Sequence, residues 1–321
     1  MKTVVSTDRV AAVGLLRKGN VVALPTETVY GLASKALDPT AVVKIFEAKG
    51  RPRFNPLIVH LPNRESLGRI VDVATGERKL IDKLADNFWP GPFTMVLPKR
   101  EIVPDIVTAG LNTVAVRLSA HRVFAGIVGE LDEPLAAPSA NRFGRISPTT
   151  ARHVLDELDA RIPLIIDGGP TEHGIESTVV AVRNSKIAIL RRGPITREQL
   201  LPFAEVSSAM GTPTISSPGQ LPSHYAPKTP LRLVDNPEAL LLENGQRVAL
   251  LAWNPAFQHL QAFAAVRILS DRADLREGAA NLFRYLRELD ALGLDLIVAE
   301  RVPFRGLGAA IMDRLERASH Q

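Results

Sequence analysis

Residues Leu24–Ala36 read LPTETVYGLASKA, and Lys49–Leu61 read KGRPRFNPLIVHL. The first stretch begins where the apolar run Val21–Leu24 meets a proline, and threonines, one acid and Gly31 follow. The second carries a basic, proline-containing loop with Asn55 into another apolar run that ends at His60. Both stretches put hydroxyl, amide or cationic groups at the tips of buried strands. Open α/β sheets hold phosphorylated ligands at such tips.

Outward from these stretches the chain alternates helices and strands. Thr7–Lys18 reads as a helix with Val10, Val13 and Leu16 on one face and Gly19 as its stop. Asp38-Pro39 caps a second helix that runs to Gly50. Lys79–Asn87 reads as a third helix, and Ser147-Pro148 as the cap of a fourth that runs to Leu158. Strands are expected at Val21–Leu24, Pro56–Leu61, Thr94–Leu97, Thr113–Ser119 and Pro163–Ile166. Ser177–Val182 and Lys186–Arg191 read as a hairpin. The sum is a mixed sheet with flanking helices, assigned to residues 1–207. A Pro/Ser-rich stretch without periodicity spans 208–230 and reads as a linker. Beyond it, four short apolar runs and a helix over Leu275–Leu292 predict a small second α/β domain, residues 231–321.

Cysteine is absent, which excludes disulfides, thiolate metal sites and cysteine nucleophiles together. No apolar run approaches the ~18 residues that a membrane helix needs, and no signal-peptide pattern is visible, so a cytoplasmic protein is expected. The net charge of +5 lies entirely in residues 1–208. That excess is compatible with an anionic ligand but is too small to decide one.

Strand periodicity locates the first candidate residue. In TVAVRLS, Thr113, Ala115, Arg117 and Ser119 share one face, and Val114, Val116 and Leu118 share the other, which must be core. An arginine in mid-strand either pairs with a neighbouring acid or binds an anion with its planar fork. In IAILRR, Arg191 ends a strand, either solvated or facing a ligand. Ser177 precedes an apolar strand, and Ser139, Asn141, Arg142 and Arg145 crowd one turn-rich loop. His60 closes a strand, where a hydrogen-bonded structural histidine is an equally good account. No phosphate-loop lysine motif, HExxH or serine elbow is present. A triad of Ser139, His60 and Asp167 has no elbow to support it.

At this level the chain resembles the YrdC-type threonylcarbamoyl-adenylate synthases, in their longer two-domain form. The resemblance rests on PTETVYGL (Pro25–Leu32), KGRPxxNPLIVH (Lys49–His60), WPGPxT (Trp89–Thr94) and VAVRxS (Val114–Ser119). It continues through PSAN (Pro138–Asn141), GRxSPT (Gly144–Thr149) and ESTVV (Glu176–Val180). SPG…HYAP (Ser217–Pro227) and GLGxAIMDRLxRA (Gly306–Ala318) extend it to the C-terminal part. The resemblance implies a YrdC-like twisted mixed sheet, a linker acting as a lid, and a Rossmann-like C-terminal domain. It implies a nucleotidyltransferase that makes L-threonylcarbamoyl-AMP and diphosphate from L-threonine, bicarbonate or CO2, and ATP. Other proteins then carry the threonylcarbamoyl group to adenosine 37 of tRNA.

Carried over by position, the resemblance puts L-threonine against Thr28, His60, Arg117, Ala137 and Ser177. It puts ATP against Arg51, Asn55, Thr113, Ser139, Ser147, Arg191 and Tyr225. Lys49 and Arg51 become the catalytic cations that neutralise the phosphates. No protein metal site is expected, Mg2+ arriving on the ATP phosphates. The competing expectation is a non-catalytic module of the same fold that binds double-stranded RNA or a ribosomal surface; weak binding of tRNA is a separate expectation. A carbamoyl transferase of the hydrogenase-maturation kind is disfavoured, because its zinc-finger cysteines are missing.

Overall fold

Strand alternation and helix caps set the architecture. The structure is a computed structural model that describes residues 2–208, 225–240, 245–253, 255 and 262–320. The predicted linker motif Ser217–Pro227 lies outside the described residues except for its last three positions. The chain divides into two compact units. The first comprises Met1–Phe143, Pro148–Glu172 and Glu176–Gln220, and the second Gly144–Ser147, His173–Ile175 and Leu221–Gln321. Two short segments that precede residue 176 thus group with the C-terminal residues.

The first unit contains strands β1 (Val4–Ser6), β2 (Val22–Leu24), β3 (Gly31–Lys35), β4 (Ile58–His60), β5 (Phe93–Pro98) and β6 (Thr113–Arg117). It continues with β7 (Leu135–Ala136), β8 (Leu164–Ile166), β9 (Thr178–Arg183), β10 (Lys186–Arg191) and β11 (Val206–Ser208). They form one sheet in the order β1-β8-β2-β3-β7-β4-β6-β5-β9-β10-β11. It is mixed: β4 and β6 run parallel, β6 and β5 antiparallel, and β5 and β9 parallel.

Val114 and Val116 lie in the main core with Val59, Met95 and Val180, as the alternation requires. Ala115 lies on the opposite face in a smaller cluster with Ile58, Val96 and Val179. Asp38 caps the helix Pro39–Lys49 through the N–H groups of Thr40 and Ala41, and Gly50 ends it at φ 60°. The cap of the helix Ala151–Leu158 is Thr150, which accepts from His153 N, and not the expected Ser147. Thr150 is still extended, at φ −141° and ψ 160°, and the helix begins at Ala151, so the cap moves with it. The hairpin of β9 and β10 turns at Asn184 and Ser185, both at positive φ.

The second unit holds β12 (Leu231–Val234), β13 (Val248–Ala252), β14 (Ala265–Ile268) and β15 (Leu296–Glu300). They form an all-parallel sheet in the order β12-β15-β13-β14. Helices Leu275–Asp290 and Gly308–Ser319 belong to this unit. Among the described residues no helix is long and apolar enough to cross a membrane.

Candidate active site

Register in the first unit lines up three polar side chains. His60 on β4 is the neighbour of Arg117 on β6, and Arg117 is the neighbour of Thr94 on β5. Paired positions share a face. This is the face of Ile58, Ala115 and Val96, away from the main core.

Arg117 is buried and held from three directions. Its Nε donates to the Gly91 carbonyl at 3.1 Å, and Nη1 to Thr28 Oγ1 at 3.0 Å. Nη2 makes an ion pair with Glu27 Oε1 at 2.6 Å. The other Glu27 oxygen accepts from the Ser119 hydroxyl. Burial pushes the Glu27 carboxyl up, but Arg117 and Ser119 outweigh it and lower the pKa to about 2. Burial, and then the positive charge of Arg117, lower His60 to about 3, so its imidazole is neutral. The ring lies 4.7 Å from that of Phe124, and Nδ1 has no hydrogen-bond partner among the described residues.

The loop after β2 presents Glu27 and Thr28 because Thr26 folds it back on itself. The Thr26 hydroxyl donates to the Val29 carbonyl and accepts from the N–H groups of Thr28 and Val29. Such hydroxyl turns are how short polar residues stabilise a tight loop.

Ser177 joins the same cluster just ahead of β9. Its hydroxyl meets Thr94 Oγ1 at 2.8 Å, and Arg191 donates to its hydroxyl and its carbonyl, both at 3.0 Å. Gly193 makes this approach possible. A Cβ there would lie 2.4 Å from Thr178 N and 2.6 Å from the Glu176 carbonyl, so only glycine lets the chain leaving β10 cross the start of β9.

A second group gathers at the opposite end of β4 and β6. Thr113 opens β6 and Arg117 closes it. Four residue steps along the strand separate them by about 13 Å. At the Thr113 end, Arg51 donates to the carbonyls of Asn55 and Pro56, which lead into β4. The Asn55 amide is buried, and neither of its polar atoms has a hydrogen-bond partner among the described residues. An orphaned buried amide is costly unless something else pairs it. Lys49 is buried and donates to the carbonyls of Ser139 and Asn141. Burial, and then nearby Arg51, bring its pKa well below the ordinary lysine range, partly opposed by Glu157. Ser139 pairs with Gly31 in an isolated bridge, and the Ala137 N–H donates to the Ile58 carbonyl at 3.0 Å.

The residues expected from sequence therefore fall into two groups in the first unit. Thr28, His60, Arg117, Ser177 and Arg191 meet at one end of the strands. Lys49, Arg51, Asn55, Thr113 and Ser139 flank the other, with Ala137 on the β7 side of β4. Arg191, expected beside ATP, is bonded to Ser177, expected beside threonine. Glu27, Thr94 and Ser119 complete the first group and were not singled out in advance. Ser147 and Tyr225 belong to the second unit. The Ser147 carbonyl accepts from Arg287. Tyr225 is buried at φ 66°, its ring 5.4 Å from that of Phe283 and beneath the Arg314 guanidinium. Among the described residues no cluster of three or more His, Asp or Glu side chains is placed to hold a metal.

A family model described as telomere recombination matches residues 14–193. A second, described as the C-terminal domain of threonylcarbamoyl-AMP synthase, matches residues 195–320. A threonylcarbamoyl-AMP synthase of Pyrococcus abyssi is 40% identical, with 97% of this chain and 93% of the relative covered. The chain belongs to the threonylcarbamoyl-AMP synthase family. The synthase of Bacillus subtilis is 41% identical over 96% of this chain and 92% of its own. Among solved structures, P. abyssi Sua5 complexed with L-threonine superposes with a TM-score of 0.89 at 38% identity. That match covers 99% of this chain and 98% of the other. It bears out the mixed α/β architecture expected from sequence.

Proposed function

We propose that this enzyme converts L-threonine, bicarbonate or CO2, and ATP into L-threonylcarbamoyl-AMP and diphosphate. The observation that carries the reading is the chemistry of the two groups: cations, hydroxyls and a neutral imidazole, with the acid Glu27 already committed to Arg117 and Ser119. The deprotonated threonine amine takes up CO2 with release of a proton, or bicarbonate with release of water, to give a carbamate, which is itself an anionic nucleophile. It needs no strong general base. The carbamate oxygen bonds to the α-phosphorus as the bond to diphosphate breaks. What the protein supplies is alignment and charge neutralisation.

In this reading Arg117, Thr28, His60 and Ser177 hold threonine, with Arg117 on its carboxylate. Family membership and the threonine complex of the P. abyssi relative support it. Arg51, Asn55, Thr113 and Ser139 hold ATP, and the unpaired Asn55 amide suits an adenine or ribose edge. Lys49 and Arg51 stabilise the departing diphosphate. Arg191 completes the nucleotide side of the first unit in this reading. Mg2+ enters with ATP as its phosphate complex. The chemistry is assigned to residues 1–207, and residues 231–321 are an accessory domain. The product passes in the cytoplasm to proteins that modify tRNA.

The test is diphosphate release from ATP by the purified full chain. Release is expected only when threonine and bicarbonate are present together. Release without threonine, or none with all three substrates, overturns the proposal.

A further inference from the structure

The proposed reaction assigns Arg191 to ATP and Ser177 to threonine, yet the two are bonded to each other. Arg191 Nη2 donates to the Ser177 hydroxyl and Nε to its carbonyl, both at 3.0 Å. The carbamate that joins threonine to the α-phosphate belongs at that seam. The Ser177 hydroxyl also lies 2.8 Å from Thr94 Oγ1, and Thr94 is the register neighbour of Arg117. Both hydroxyls are fully buried. The pair carries one proton too many. An arginine only donates, so it fills one Ser177 lone pair. Serine and threonine bring one proton each, and only one of the two is spent between them. Among the described residues neither hydroxyl has an acceptor for the other. A buried proton without an acceptor is costly unless a ligand takes it. The ligand group that fits is therefore an acceptor, and the two buried guanidiniums of this group, Arg117 and Arg191, favour an anionic one.

We propose that Thr94 is a positioning residue that donates to Ser177 and so turns the Ser177 proton onto the carbamate. The Arg191 charge polarises the Ser177 O–H and makes it the stronger donor of the two. Thr94 then fills the second Ser177 lone pair, and the ligand is the one acceptor left for the Ser177 proton. A carbamate in water reverts readily to amine and CO2, so a donor placed on it raises the fraction of threonine held in the reactive form. Only one carbamate oxygen bonds to phosphorus, which leaves the other to accept from Ser177. The proposal rests on the synthase reading, with Ser177 at the amino acid.

The test is the bicarbonate dependence of diphosphate release by the full chain at saturating threonine and ATP. Thr94→Val keeps the shape and removes the hydroxyl. It should raise the bicarbonate KM about tenfold, the worth of one hydrogen bond to a charged group. Thr94→Ala should give the same rise and serves equally where the valine variant does not fold. Threonine binding without bicarbonate, read by calorimetry, and the KM for ATP should stay within about twofold, which a general loss of structure would not allow. Thr94→Ser, which restores the hydroxyl, should bring the bicarbonate KM back to within about threefold of the parent. Ser177→Ala should raise it at least as far as Thr94→Val, and in that background Thr94→Val should add less than about twofold, because Thr94 acts through Ser177. An unchanged bicarbonate KM in the folded Thr94 variants overturns the proposal, as does a full Thr94→Val effect on top of Ser177→Ala. A parent that releases no diphosphate removes the synthase reading itself, whereas an active parent with indifferent Thr94 variants removes this proposal alone.

Discussion

Two buried arginine–carboxylate pairs, one in each unit, show how the same chemistry acquires different meanings. Arg117 and Glu27 lie on separate elements, at the open ends of strands, among Thr28, Thr94, Ser119 and His60. Arg314 and Asp313 are adjacent on the helix Gly308–Ser319, 2.8 Å apart. Asp313 is shared with Arg317, and the Arg314 guanidinium lies over the Tyr225 ring. The first pair is assembled by long-range folding in a setting of hydroxyls and an imidazole. The second is nearly local and packs against one aromatic ring. A buried arginine does not by itself mark a functional site; what surrounds its partner does.

The sharpest way to break this contrast is Arg117→Ala. It should raise the threonine KM at least ~100-fold, and it should destabilise the first unit by about 3–5 kcal/mol because Glu27 is left as an uncompensated buried charge. Steady-state kinetics and denaturant unfolding read the two effects. Loss of stability with an unchanged threonine KM would make the two pairs equivalent.

Acid unfolding is the next largest effect. The folded pKa of Glu27 lies below its unfolded value of 4.5, so its stabilisation is complete above pH 4.5 and is lost as the pH falls toward about 2. A shift of this size corresponds to about 3 kcal/mol. His60 is also depressed. The unfolded histidine takes up a proton near pH 6.5 while the folded one stays neutral to about 3, so stability declines as the pH falls through that window too. Unfolding titrations from pH 7 to 3 should show both limbs. His60→Gln should flatten the part between 6.5 and 4.5.

The smallest effect sharpens the contrast from the other side. Arg314→Met should cost about 1–3 kcal/mol, since Asp313 keeps Arg317 as a partner. Trp253, in the second unit, reports that unfolding by fluorescence. The threonine KM should stay within about twofold. A large rise would erase the distinction between a structural pair and a substrate-facing one.

Much of this arrangement was legible before folding. The alternation in TVAVRLS placed Arg117 on the polar face, and of its two outcomes the ion pair to a neighbouring acid is present, with Glu27. Strands rich in β-branched residues, such as β6, β9 and β10, were found within a residue or two. β3, Gly31–Lys35, was not, because GLASK has little strand propensity. It exists because β2 and β7 flank it. β7 is two residues long, too short for any period. Glu27 stood in the quoted stretch as its one acid, yet its role needed Arg117, ninety residues away, and no local pattern encodes that meeting. Thr94 was read only as a strand residue, and its bond to Ser177 depends on the pairing of β5 with β9.

The sheet of the first unit is wide, but its outermost strands are brief. β1 and β11 have three residues each. An unpaired row of backbone amides invites another chain to add on, and a wide sheet with long borders would be a template for fibre growth. Three residues offer too few rungs for a stable intermolecular ladder. Among the described residues, the sheet of the first unit is a broad floor with almost no selvedge for aggregation to catch.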